Sequence, residues 1–414
     1  MNLSCVPPPR LCPSKRIGIL TSTQDLTDSS PIFSCSASPV YPVPAFFADV
    51  RNALLLAGRR EARRSTRPKP VGELDIERPD QLVDWLRSVG RIGFQETPSI
   101  RILAGGVSNR TVWVARSNGE TWVLKQALER LRVAAHWVCS PERIHREALG
   151  MRWLATLAPT DAVPKLVFED RQHHLLGMQA VPEPHSNWKT VLLQGCVDPD
   201  HVRQFGRLLG TIHRRSLLAA AQLKEVFSTT AFFESLRLQP FYEYPKEDYP
   251  ETGPFLNALV EETRATRLAL VHGDYSPKNI LVYRGCLRLL DHEVIHWGDP
   301  MFDVGFAVAH LLSKAHHNPC RREALGGAVV LFWEHYQFAA CPCLTHADRQ
   351  ACATRHALAC LLARVIGKSP VDYLDEQARL RQRDACFALL ISPPSDLHTL
   401  VDRFLREIGA REPR

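Results

Sequence analysis

The chain has 414 residues, of which 45% are apolar and 23% charged, and its formal net charge is +7. That composition is ordinary for a globular protein with a sizeable core and room for two lobes or domains. It argues against a membrane span, since runs such as Ala324 to Phe332 and Leu358 to Ile366 are too short or too broken by charge to supply about 20 apolar residues.

The positive charge is local. Between residues 1 and 70, ten Lys and Arg face four acids and carry all but one of the seven excess charges, so the body offers no phosphate-tracking groove for nucleic acid. Residues 1–72 also hold ten of the thirty prolines and the arginine run Arg59 to Arg67, the composition of a disordered extension. A solvated tail is the preferred reading. An organelle transit peptide would share the Arg and Ser richness but not the early Asp25 and Asp28. The twelve cysteines are scattered, and the closest pair, Cys341 and Cys343, lacks CxxC spacing, which disfavours zinc. With no secretory apolar segment at the start, reduced thiols in a cytoplasmic protein are expected.

In chain order, "RPDQLVDWLRSVG" spaces Leu82, Val83, Trp85, Leu86 and Val89 on one face of a lead-in helix ending at Gly90. "IRILAGGVSNRTVWVARSNGETWVLKQA" then reads as three strands, with a two-residue hairpin turn at Asn118-Gly119. Ser140-Pro141 supplies a helix start, and Ile144, Ala148, Met151 and Leu154 continue its apolar stripe. Two more strands follow, "KLVFED" and "LLGMQAV". From about residue 198 the pattern is mainly helical, with four helical segments expected between Pro300 and Arg411. A strand pair, "NILVY" and "LRLLD", turns around Arg284-Gly285 and interrupts it.

The chemistry-bearing residues flank that pair. Asp274 and Asn279 in "VHGDYSPKN" precede the first strand and Asp291 ends the second, which brings three hard oxygen donors to one edge of a ribbon. Mg²⁺ is held by such donors together with substrate phosphates. Asn279 and Asp291 are therefore candidate metal ligands, and Asp274 is a candidate base for an incoming hydroxyl.

"HGDYSPKN" followed by "LLDHEVIHWGDPMFDVG" resembles the catalytic and metal-binding segments of the aminoglycoside phosphotransferase-like kinases. With "VLKQALERLRV" and the D-x-E at Asp291 and Glu293, the motifs are most similar to those of the methylthioribose kinases. The resemblance spans roughly residues 95 to 400. It implies an α+β, protein-kinase-like fold of two lobes: a small antiparallel sheet with one main helix over residues 73–181, and a larger, mostly helical lobe over 182–414. ATP would lie between them, with Mg²⁺ as the metal and a small-molecule hydroxyl as acceptor.

Carried over by position, the resemblance makes Lys125 the strand lysine on the α and β phosphates and Glu147 the helix carboxylate that orients it. "LAGGVSNRTV" becomes the loop over the phosphates, where Gly105 and Gly106 admit the backbone and Ser108 or Asn109 donate; two adjacent glycines also read as a plain turn. Met178 to Val181, with Gln179 and Val181, would meet adenine. Period-two spacing points Asp291 and Glu293 the same way, toward metal; the competing reading pairs Glu293 with His292 or His296. Lys278, where the family pattern has a small residue, reads equally as a γ-phosphate contact or a solvated lysine. Asp303 reads as a support for the catalytic loop. Arg355, Arg364 and Lys368 lie where these enzymes place substrate-binding residues and serve equally well as surface charges.

Two look-alikes fail. "IGKS" at 366–369 would need glycine where Leu362 stands, and His310, His316 and His317 are read as ordinary histidines at a helix end rather than a metal site. Only eleven residues separate Asp291 from Asp303, and Gly273 replaces the arginine that protein kinases carry before the catalytic aspartate. A small acceptor is expected: a sugar, an amino alcohol or an aminoglycoside-like molecule. The alternatives are a catalytically silent kinase fold, which the intact Lys125, Asp274, Asn279 and Asp291 disfavour, and nucleic-acid binding through the basic tail.

Overall fold

Five antiparallel strands form the first layer, in the order β1-β2-β3-β5-β4: β1 Ser99–Ile102, β2 Asn109–Ala115, β3 Thr121–Ala127, β4 Leu166–Asp170 and β5 Leu175–Gln179. The computed structural model describes residues 74–103, 106–133 and 136–412, so the proline-rich extension lies outside the described residues. Strand alternation sends Val112, Val114, Trp122 and Leu124 to one face, where helix α1, Pro79–Ser88, buries Leu82, Trp85 and Leu86 against them. Val123 and Ala127 point the other way and meet Ile144, Ala148 and Met151 of helix α2, Arg143–Leu157. Lys125 shares their parity, so it projects toward α2.

Three local expectations change. The β2–β3 hairpin closes through three residues, 117–119: the Gly119 N–H bonds Arg116 O at 3.1 Å and the Arg116 N–H bonds Glu120 O at 2.8 Å. Gly119 takes φ +88°, the left-handed step that follows a type I turn in such loops. Helix α2 starts at Arg143, two residues after Pro141, because the Arg143 guanidinium draws the Cys139 and Ser140 carbonyls onto itself at 3.0 Å each. Val89 lies past the end of α1 and is exposed.

Beyond β5 the chain passes to β6, Ser186–Asn187, and then to helices α3, Trp188–Leu193, α4, Pro199–Leu218, and α5, Gly253–Ala265. Between α4 and α5 a π-helical stretch, Glu234–Glu243, carries Pro240 within it. Strands β7, Ala269–Val271, and β10, His296–Gly298, pair antiparallel. Between them β8, Ile280–Tyr283, and β9, Cys286–Leu289, form the anticipated hairpin through Arg284 and Gly285. Five helices rather than four follow Pro300: α6 Met301–His317, α7 Arg322–Ala339, α8 Ala347–Ile366, α9 Glu376–Leu390 and α10 Leu397–Ala410. Short connectors such as 318–321 mark their boundaries weakly. Helix α6 is buried along almost its whole length and is the axis on which α7 and α8 assemble, as expected of a helix apolar on all sides. The result is the anticipated α+β architecture, a five-stranded antiparallel sheet followed by a mainly helical stretch.

Candidate active site

Lys125 Nζ lies 2.7 Å from Glu147 Oε1 and 2.7 Å from Asp291 Oδ1. One ammonium thus joins the sheet, α2 and the segment after β9. Burial alone would lower the Lys125 pKa, but the charges of Asp291 and Glu147 outweigh it and hold the amine protonated. Glu147 is fully buried, which pushes its carboxyl up to about 7 against the pull of Lys125. Asp291 resists the same burial because Lys125 and then Lys278 hold its carboxyl low. Of the two acids sharing one cation, Asp291 therefore keeps its charge more firmly.

The loop after β7 carries Asp274. Its backbone is fixed by Asp303 at the start of α6, whose carboxylate accepts the N–H groups of His272 at 2.6 Å and Gly273 at 2.8 Å. His213 bonds the same carboxylate at 3.2 Å. Gly273 sits at φ +78°, and a Cβ there would fall 2.8 Å from Val294 Cγ2, so this turn admits only glycine. His272 Nδ1 accepts the Asp274 N–H at 3.2 Å while Nε2 donates to Leu290 O at 3.2 Å. Burial lowers its pKa and keeps the ring neutral.

Asn279 closes the loop, donating its amide N–H to Asp274 O at 3.0 Å and Asp274 Oδ2 at 2.8 Å. With its nitrogen so used, the amide oxygen is the group left for a cation. The Leu290 N–H bonds Asn279 O at 2.9 Å, extending the β8–β9 register by one pair and setting Asp291 beside Asn279. Asp291 takes φ +68°, costly for a non-glycine residue and typical of functional turns. Neither Asp291 nor Glu293 lies in a strand, so the period-two argument for their shared direction does not apply, although both line one cavity with Ser108, Arg237, Asp274 and Lys278.

Several expected site residues stand elsewhere or are otherwise engaged. Glu293 Oε2 accepts from Arg143 Nε at 3.1 Å and Asn109 Nδ2 at 3.3 Å, and its partner is thus an arginine rather than His292 or His296. Asn109 spends its donor on Glu293 and Ser108 Oγ, which leaves Ser108, beside Val107, as the polar loop side chain on the cavity wall. Gly105 lies outside the described residues; at Gly106 a Cβ would approach Asn109 O to 3.1 Å. Gln179 and Val181 line a separate hollow with Trp122 and Lys165, and the Gln179 and Ala180 N–H groups are already bound to Lys165 O and Thr121 O. Arg355 is clamped on Glu262 at 2.6 and 2.8 Å, away from the cavity. Arg364 lies nine positions further on, about half a turn out of phase at 3.6 residues per turn, so of the two Arg364 faces the cavity. Lys368 lies past the end of α8 with its ammonium over the Tyr244 ring. Lys278 is exposed at the cavity edge.

The sequence reading missed Arg237. From the π-helical stretch its Nε donates to Gly273 O at 2.7 Å and Nη2 lies 3.0 Å from Asp274 Oδ2. It also missed Arg143, a buried arginine that ties Glu293 to the carbonyls of Ser108 and Leu128. "LRLQPFYEYP" carries no short-range signal for the first. A basic residue at the start of a helix, with Arg146 close after it, gives none for the second.

The family model described as the phosphotransferase enzyme family, APH, matches residues 99–341. Methylthioribose kinase 2 of Oryza sativa subsp. japonica is 25% identical over 230 residues, covering 49% of this chain and 53% of that protein. Methylthioribose kinase of Yersinia pseudotuberculosis is 24% identical over 220 residues, covering 46% and 52%. The chain thus spans about half the length of the curated relatives it matches. Among solved structures, an amicoumacin kinase bound to AMP-PNP, Ca²⁺ and its ligand superposes with a TM-score of 0.47 at 15% identity, covering 76% of this chain and 89% of that one. Among the described residues no helix is long and apolar enough to cross a membrane.

Proposed function

The chain belongs to the phosphotransferase enzyme family, and from that premise we propose that it moves the γ-phosphate of ATP to a hydroxyl of a small molecule. The observation that carries this reading is the meeting on one cavity wall of Asp291, which with Glu147 holds the Lys125 ammonium, and Asp274, which is held by Asn279 and Arg237. In the proposed reaction Lys125 anchors the nucleotide phosphates, and Glu147 fixes its position. Asp274 orients the acceptor hydroxyl and takes its proton. The acceptor oxygen forms a bond to γ-phosphorus as the bond to the β–γ bridging oxygen breaks, and ADP leaves. Positioning does most of this work, since the transferred group passes through a loose transition state.

The donor set fits Mg²⁺: the Asn279 amide oxygen and the Asp291 oxygen not spent on Lys125 are hard ligands with one carboxylate between them. When bound, the ion would neutralise phosphate charge. Glu293, buried against Arg143, is a wall carboxylate close to that set rather than an equal member of it.

The test is a screen of sugars, amino alcohols and aminoglycosides for acceptor-stimulated ADP release, with Asp274→Asn as the blank. Stimulation in the parent protein and loss of it in the blank is the expected result. Equal ADP release from both would remove Asp274 from its role.

A further inference from the structure

The carboxylates on the cavity wall are all matched. Asp274 has Arg237 at 3.0 Å, Asp291 has Lys125 at 2.7 Å and Glu293 has Arg143 at 3.1 Å. Among the described residues, two neighbouring cations are not. Arg364, on the cavity wall, has no carboxylate within 4.0 Å among the described residues, and its Nε is buried without a hydrogen-bond partner. Nearby on α6, Lys314 is 1% exposed, and among the described residues its Nζ bonds only the His310 carbonyl oxygen, at 3.1 Å. The one nearby acid, Asp372, is taken by Lys189 at 2.7 Å. His310, also on the wall, is held neutral by burial and by the charges of Lys314 and Arg364.

An unmatched buried cation costs several kcal/mol; Lys314 is such a group, and half-buried Arg364 on the cavity wall presents a buried Nε without a partner. Lys278 at the cavity edge can serve the transferred phosphate, whereas Arg364 and Lys314 are carried by α8 and α6. Resting on the phosphotransfer reading, we propose that the acceptor is an anionic hydroxyl compound, carrying a carboxylate or phosphate ester that docks on Arg364, with Lys314 close by on α6. A guanidinium with a free buried edge suits such a group, because its donors match the oxygens of a carboxylate or phosphate in pairs. A cationic acceptor would meet like charge on the same wall.

The experiment measures binding without turnover. Protein saturated with Mg²⁺ and AMP-PNP is titrated with ribose 5-phosphate and gluconate as anionic probes, and with ribose and choline as neutral and cationic counterparts. The anions should bind at least about tenfold more tightly than ribose, as one charge-assisted contact allows. Arg364→Gln should erase that preference with AMP-PNP affinity unchanged, Arg364→Lys should keep part of it, and Lys314→Met should reduce it; melting temperatures check that each variant is folded. Equal or tighter binding of ribose or choline, no binding by any of the four, or an anion preference that survives Arg364→Gln would overturn the inference. ADP release with the same compounds separates the two readings. Anion binding without turnover would defeat phosphotransfer and leave the anion site standing, whereas turnover of ribose or choline without anion preference would do the reverse.

Discussion

Arg237 and Asp274 meet at 3.0 Å, and the same guanidinium bonds the carbonyl oxygen of Gly273, the residue just before the aspartate. The candidate base is thus held from one side by an arginine 37 positions earlier in the chain and from the other by Asn279. Both partners are largely buried, so removing the cation strands a carboxylate. Arg237→Met is expected to cost about 3 kcal/mol of stability and to lower kcat for phosphoryl transfer more than it raises KM for ATP. Chemical denaturation and steady-state kinetics check both; a variant as stable and as active as the parent would show the pair to be incidental.

Glu147 has a narrower task. Its side chain is wholly buried and meets Lys125 at 2.7 Å, so Glu147→Gln keeps the shape and removes one of the two charges that fix the ammonium. Nucleotide affinity should fall about tenfold, the loss of one charge-assisted contact, while the sheet and α2 stay folded. Affinity for AMP-PNP by fluorescence or calorimetry, with circular dichroism as the fold check, decides it. Unchanged affinity would mean that Asp291 alone positions the lysine.

Lys314 gives a pH signature. Burial lowers its pKa from the ordinary 10.5 to about 7. Below pH 7 it is protonated in both folded and unfolded chains, and the full cost of a buried charge is borne. Between about 7 and 10.5 the folded chain has lost the proton and the unfolded chain holds it, so unfolding takes up a proton and stability rises with pH. Lys314→Met lacks this gradient. Without an anionic ligand it should be more stable than the parent by on the order of 2 kcal/mol at pH 6.5, with the gap shrinking toward pH 9.5. Urea unfolding at three pH values tests this, and a gap independent of pH would contradict the assignment.

Much of this arrangement is legible in the sequence because it rests on short-range rules. Strand parity puts Lys125 on the α2 face with Val123, and the β8–β9 hairpin brings Asn279 and Asp291 to the same end. What was illegible depends on phase or on distance along the chain. Arg355 and Arg364 look alike in one helix, but half a turn sends one to Glu262 and the other to the cavity. Glu293 seemed a companion of Asp291 only while the segment was read as a strand; with Asp291 in a left-handed conformation, Glu293 meets Arg143 on α2 instead. Arg237 reaches the loop from a π-helical turn for which its sequence offers no local pattern.

Lys125 and its two carboxylates form the proposed seat for the nucleotide phosphates. Calorimetric titration of the parent protein and of Lys125→Met with Mg²⁺ and AMP-PNP tests that most directly. One nucleotide per chain should bind to the parent, and at least about tenfold more weakly to the variant, as loss of a charged contact implies. Equal affinity of the two proteins, or a parent that binds no nucleotide, would contradict it.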